Sequence, residues 1–383
     1  MQNKILIFSE AFGNGHTKAA EALAQSISIQ EPAVRTKIVE LANLLHPLAS
    51  NLTLRSYKKM ITAYPRVWRK IYDSNQNQPI SERMQYVIYQ LFHRKMEQIL
   101  ENERPQMAIC THPFTSSSLS RLKRLGHPVR FCTVITDFHA HSMWIQPEVD
   151  LYMVSDHEVQ RQLISMGIPS EKIAVTGIPV TLNFWTKRTK QEARNLLNLK
   201  NLPTILVMGG GLGLGGIREL AYSLVKWKER VQIIICTGNN DNLRLHLQHD
   251  KQFHHPNIVI LGFVDNIDKL LDASDLLITK PGGLTCFESL SKGVPMLIFQ
   301  PIPGHEERNC NYLEKRGLAV RMDHVKRVDN WIEKLLFASE AFEPLRKNIE
   351  QFRQQFNPLA AAETVLDLLH KQHKNMIGMD CDV

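Results

Sequence analysis

The sequence predicts an α/β protein built from two parallel-sheet domains, and three observations carry that reading. Short apolar runs alternate with amphipathic stretches along nearly the whole chain. The runs are continuously apolar rather than alternating with polar residues, as strands buried on both faces must be. At 383 residues the chain exceeds what one core ordinarily serves, and the alternation restarts after residue 202.

Taken in order, the first half opens with the strand KILIFS, the helix HTKAAEALAQSI with Ala20, Leu23 and Ile27 on one face, and the strand TKIVEL. A long amphipathic helix is expected over 81–101, with Met84, Val87, Ile88 and Leu91 at core spacing. Strand QMAIC, a helix over 115–125, strands FCTVIT and DLYMVS, a helix over 156–166 and KIAVTG complete this half. Pro179, Pro203 and the charges between them read as a linker. The second half runs through TILVM, IRELAYSLVKWK, VQIIIC, a helix over 241–249, IVILG, IDKLLDAS, LLITK, TCFESLSK, PMLIF and NCNYLEKR, with helices over 341–355 and 359–373. The expected division is a Rossmann-like domain over 1–180, a linker over 181–202, a second Rossmann-like domain over 203–340, and C-terminal helices and tail over 341–383. That outline is the GT-B architecture, in which two parallel sheets face across a cleft and the ligand sits at the C-terminal ends of the strands.

Composition narrows the class. With 43% hydrophobic and 22% charged residues, and no apolar run of the roughly 18 residues a spanning helix needs, the chain is expected in the cytosol. Its six cysteines form no C-x-x-C pair, three of them sit inside strand-like apolar runs where buried free thiols are expected, and no disulfide is expected. The net charge of +8 suits an anionic partner: nucleic acid, a membrane surface or a phosphate-bearing ligand. No acidic residue lies between Glu40 and Asp73, where Arg55, Lys58, Lys59, Arg66, Arg69 and Lys70 are interleaved with Tyr57, Tyr64, Trp68 and Tyr72. A cationic helix with aromatics on one face fits an anionic bilayer interface. The other reading is an amphipathic helix docked on its own domain with a solvated basic face. Nucleic acid is disfavoured, because no DNA- or RNA-binding motif accompanies the charge.

Three glycine loops follow strands. GNGHTKAA places Gly13, Gly15 and His16 at the start of the first helix, GGGLGLGG spans Gly209–Gly216, and KPGGLTCFES spans Lys280–Ser289. Glycines let a diphosphate approach backbone N–H groups at a helix N-terminus. GGGLGLGG alone also fits a dinucleotide fingerprint, but the next strand ends in Thr237 and Gly238 rather than in the acidic residue that NAD binding uses. Glu288, one to two turns into its helix, can accept both hydroxyls of a ribose or stand as an ordinary helix residue. His16 fits a neutral base or a cap on its own helix. Asp137, His139 and His141 have D-x-H-x-H spacing, which an extended loop also explains; no metal and no cofactor is expected.

Together GNGHTKAA, ITDFHAHSMW, VTGIPV, MGGGLGLGG, ITKPGGLTCFES and PIPGHEERNCNYL, in this order, resemble the monogalactosyl- and glucosyl-diacylglycerol synthases. These are GT-B glycosyltransferases of family 28, related to the enzyme that adds N-acetylglucosamine to lipid I. The resemblance extends from Ile5 to about Leu369. It implies inverting transfer of a hexose from a UDP-sugar to diacylglycerol, with His16 as the base and Asp137 as a second candidate base or the group that orients it. Gly210, Gly211, Gly213, Gly282, Gly283, Leu284 and Thr285 would meet the diphosphate, Glu288 the ribose, and Glu306, Glu307 and Asn309 the sugar hydroxyls. Gly15 and Trp144 would border the acceptor. His305 stands where the family commonly has glutamine, a swap of hydrogen-bond partner that can change discrimination between sugars; glucose is the first expectation for the donor sugar, with galactose and N-acetylglucosamine open. The lipid acceptor places the enzyme peripherally on the cytoplasmic face of the membrane, held by residues 48–72. Rival readings are another GT-B enzyme (N-acetylglucosaminyl transfer or an epimerase) and a non-catalytic UDP-sugar sensor; an NAD oxidoreductase ranks behind both.

Overall fold

The computed structural model describes residues 3–10, 14–41, 81–211, 213 and 216–379, and it divides into two units: Met1–Leu182 with Phe356–Val383, and Asn183–Gln355. The first unit contains β1 (Lys4–Ser9), α1 (Asn14–Gln30), β2 (Arg35–Glu40), α2 (Glu82–Ile88), α3 (Met96–Glu103), β3 (Met107–Cys110), α4 (Pro113–Arg124), β4 (Arg130–Val134), β5 (Leu151–Val154), α5 (His157–Ser165) and β6 (Ile173–Val175). Its described strands pair in the order β2-β1-β3-β4-β5-β6, all parallel, with Ile5 opposite Met107 and Phe8 opposite Cys110.

The second unit carries α6 (Lys190–Leu196), β7 (Thr204–Met208), α7 (Ile217–Leu224), β8 (Gln232–Cys236), α8 (Asp241–His249), β9 (Ile258–Leu261), α9 (Ile267–Ala273), β10 (Leu276–Thr279), α10 (Gly283–Lys292), β11 (Met296–Phe299), α11 (His305–Lys315), β12 (Val320–Met322), α12 (Val328–Phe337) and α13 (Glu343–Arg353). Its strands are also all parallel, in the order β12-β11-β10-β7-β8-β9. The chain then returns to the first unit as α14 (Ala360–Met379).

The apolar runs form strands because both faces are covered. Ile5 and Ile7 point to a layer with Ala20, Leu23 and Ile27 of α1 and Ala362, Val365 and Leu369 of α14. Leu6 and Phe8 point the other way, to Met96, Leu100, Leu119 and Leu122. Each such side chain removed from water stabilises the fold by roughly 1.5–3 kcal/mol before ordering costs. The described cysteines are buried free thiols, and burial pushes those of Cys110 and Cys236 up to about 12. Among the described residues, no helix is long and apolar enough to cross a membrane.

Three boundaries differ from expectation. The segment read as a linker, 181–202, belongs from Asn183 onward to the second unit. There Arg188 pairs with Asp272 at 3.2 Å, and the buried Arg194 guanidinium with Asp275 at 2.6 Å. Of the C-terminal helices expected together, α13 belongs to the second unit and α14 to the first. The long helix over 81–101 is broken by a π turn at Tyr89–His93 between α2 and α3. At that turn His93 is buried, with Nε2 2.8 Å from Glu10 Oε1 and Nδ1 2.5 Å from Ser118 Oγ. Arg55, Lys58, Lys59, Tyr64, Arg66, Trp68, Arg69 and Lys70, and with them the expected cationic aromatic helix, lie outside the described residues.

Candidate active site

In each sheet the strand order reverses between the first strand and its later neighbour, β1 beside β3 and β7 beside β10. Loops leaving such a pair diverge to opposite faces and open a crevice at the carboxyl ends. The described residues of all three glycine motifs sit at these two points.

In the first unit, Gly15 is the second residue of α1 and His16 the third. His16 Nδ1 lies 2.8 Å from the Thr111 carbonyl oxygen, just past β3, and 2.9 Å from Thr136 Oγ1, just past β4. A carbonyl oxygen only accepts, so Nδ1 carries the proton and the ring's lone pair is on Nε2. The His112 ring meets His16 edge-on, with centroids 4.7 Å apart, and Trp144 lies at 6.2 Å. Trp144 is buried at 3% exposure, so it walls the site from within the core. Asp137 follows Thr136 directly and is half-buried; its backbone carbonyl accepts from Ser155 Oγ at 2.9 Å. His141 is buried, and its Nδ1 accepts the Met143 N–H at 3.1 Å, which commits that nitrogen to capping the turn at Ser142–Trp144. Thr111, Thr136 and His112 were not singled out in the sequence. A carbonyl has no sequence signature, but His112-Pro113 between a strand and a helix is the pattern of a cap with proline at the first helical position.

In the second unit, the loop after β7 turns through Gly210 at φ +64° and Gly213 at φ +61°, with the Gly213 N–H on the Gly210 carbonyl at 3.0 Å. A Cβ at Gly213 would lie 2.0 Å from the Thr237 carbonyl oxygen. The loop therefore rests on the end of β8, where close backbone approach leaves no room for a larger segment. Gly213→Ala must displace it at a cost of roughly 1–3 kcal/mol. It is expected to weaken UDP binding, read by titration calorimetry, about tenfold or more; an unchanged affinity would separate this loop from the nucleotide.

After β10, Gly282 caps α10 and Gly283 begins it, with Leu284 buried and Thr285 and Glu288 half-buried along its first two turns. Lys280, which the sequence reading passed over, fills the space between the two loops. A Cβ at Gly210 would lie 3.6 Å from its Nζ, and one at Gly282 would lie 3.8 Å away. Lys280 pairs with Glu306 of α11. The second Glu306 oxygen accepts the Ile302 N–H at 2.9 Å, and the residue is 1% exposed. One Glu306 oxygen thus meets Lys280 in the loop after β10 and the other the backbone at Ile302 after β11. Asn309, one turn on and fully buried, donates from Nδ2 to the Pro281 carbonyl at 3.1 Å and braces the loop after β10. Glu307 is half-buried, 4.0 Å from the Arg321 guanidinium, and His305 opens α11.

This arrangement has known counterparts. Residues 16–180 match the model of monogalactosyldiacylglycerol (MGDG) synthase, and residues 204–364 that of the glycosyltransferase family 28 C-terminal domain. A processive diacylglycerol beta-glucosyltransferase of Bacillus thuringiensis (strain Al Hakam) is 31% identical over 321 residues, 83% of this chain and 81% of that protein. Among solved structures, MurG of Acinetobacter baumannii superposes with a TM-score of 0.60 at 15% identity, covering 96% of this chain and 99% of that one. HepE of Anabaena, solved with UDP and glucose, gives 0.58 at 15% identity over 96% and 99%. These structures share the fold, two Rossmann-like units of the GT-B class. With both halves matched in order, the chain belongs to the family of monogalactosyldiacylglycerol synthases and their diacylglycerol glucosyltransferase relatives, glycosyltransferases with a family 28 C-terminal domain.

Proposed function

We propose that this protein transfers a hexose, glucose first, from a UDP-sugar to the free hydroxyl of diacylglycerol with inversion at the anomeric carbon. The observation that carries the chemistry is the contact of His16 Nδ1 with the Thr111 carbonyl oxygen: a carbonyl takes a proton donor, so Nε2 is the nitrogen that can accept a proton. The acceptor oxygen forms its bond to C1 as the bond from C1 to the diphosphate oxygen breaks, and the hydroxyl proton passes to Nε2. Asp137, beside Thr136, is the alternative acceptor of that proton.

The departing UDP leaves with developing negative charge. The Gly210, Gly211 and Gly213 backbone, the start of α10 at Gly282, Gly283, Leu284 and Thr285, and the Lys280 ammonium are the groups we assign to it. Glu288 takes the ribose hydroxyls. Glu307 takes the sugar hydroxyls, with Glu306 and Asn309 acting through the loop they hold. UDP release by purified protein, from a panel of UDP-sugars with and without diacylglycerol in anionic liposomes, tests this reading. Release that requires both UDP-glucose and the lipid is expected. Release without lipid would instead indicate a soluble acceptor, and none with any donor a nucleotide-sugar sensor.

Attachment to the bilayer is assigned to residues 48–72, where each basic side chain near an anionic surface contributes about 1 kcal/mol. Sedimentation with anionic liposomes is expected to fall as salt rises. Binding insensitive to both salt and anionic lipid content would remove this segment's electrostatic role.

A further inference from the structure

Nδ1 of His16 lies between the Thr111 carbonyl oxygen and Thr136 Oγ1. The ring of His112 stands against the His16 ring at 85° with centroids 4.7 Å apart, and Trp144 lies further out at 6.2 Å. Perpendicular aromatic contacts of this kind are directional.

His112 is itself immobilised. Its Nδ1 accepts the Phe114 N–H at 3.2 Å and caps α4, Pro113 occupies the first turn of that helix, and the Phe114 ring meets it at 5.0 Å. The residue is 7% exposed. Burial holds its imidazole well below the usual histidine range, and two facing histidines, His16 from α1 and His93 from the π turn, push the same way. His112 therefore stays neutral and does not compete for the proton that His16 must take. His93 is itself fixed between Glu10 and Ser118. The Thr111 carbonyl that holds His16 Nδ1 belongs to the preceding residue, so one short segment after β3 supplies both the anchor and the wall.

We propose that His112 is a positioning residue for the acceptor-side base, its ring holding His16 at the angle that directs Nε2 to the acceptor hydroxyl. The inference rests on His16 being the base, and two substitutions separate the ring from the cap. His112→Asn keeps a side-chain acceptor for the Phe114 N–H and removes the ring; His112→Phe keeps a ring edge and removes the cap.

With UDP-glucose and diacylglycerol liposomes, His112→Asn is expected to lower kcat about tenfold while the KM for UDP-glucose stays within about twofold. His112→Phe is expected to retain at least about a third of kcat. In a His16→Ala background, His112→Asn should cost nothing further, because the ring it positions is gone. A loss that follows the cap, with His112→Phe slow and His112→Asn normal, would overturn the inference. So would a tenfold loss that persists without His16, while the base assignment stood. A His16→Ala protein with wild-type kcat would remove the base assignment, and the inference with it.

Discussion

His16→Ala is expected to lower kcat for hexosyl transfer by about 10³-fold, with the KM for the UDP-sugar within about threefold of wild type. The base acts only as the acceptor hydroxyl loses its proton, and the donor is assigned to residues of the other unit. The loss should therefore fall on the chemical step. Steady-state rates on liposomes containing diacylglycerol read both constants. Asp137→Asn, measured beside it, decides between the two candidates. A kcat within tenfold of wild type for His16→Ala, with a larger loss for Asp137→Asn, would move the proton to Asp137.

The second large effect is expected at Lys280. Removing a cation from the point where charge develops on a leaving group costs about 10²–10³ in rate. Lys280→Met alone would also strand the Glu306 carboxylate, which is 1% exposed and would retain only the Ile302 N–H. An unpaired buried charge of that kind costs about 3–5 kcal/mol of stability. The informative protein is Lys280→Met with Glu306→Gln, compared with Glu306→Gln alone. The single change is expected to keep more than about a third of kcat, and the pair to lose at least 10²-fold while melting near the wild type. Equal rates for the two proteins would reduce Lys280 to a strut for its loop.

The strands were legible because burial on both faces writes itself as uninterrupted apolar runs: KILIFS is β1 residue for residue, and VQIIIC contains β8. The glycine loops were legible because positive φ at Gly210 and Gly213 excludes most other residues. Long-range partners were not. Arg188 and Arg194 read as linker charges, since the acids that answer them, Asp272 and Asp275, lie some eighty residues further on. The break in the helix over 81–101 accompanies the turning of His93 inward to Glu10, a contact spanning 83 residues. In the site, spacing located α11 but not which of its acids faces inward. Glu306 is buried and Glu307 half-buried, since Glu306 pairs with Lys280 while Glu307 lies near Arg321.

The return of α14 to the first unit means that the second unit is an insertion within it. During synthesis the second unit is finished first, although the first unit begins first. Until Ala362, Val365 and Leu369 emerge, the layer that Ile5 and Ile7 form with α1 lacks the cover that α14 adds. The first unit thus stays incompletely packed while the whole of the second is synthesised, and α14 is the segment that completes its hydrophobic layer.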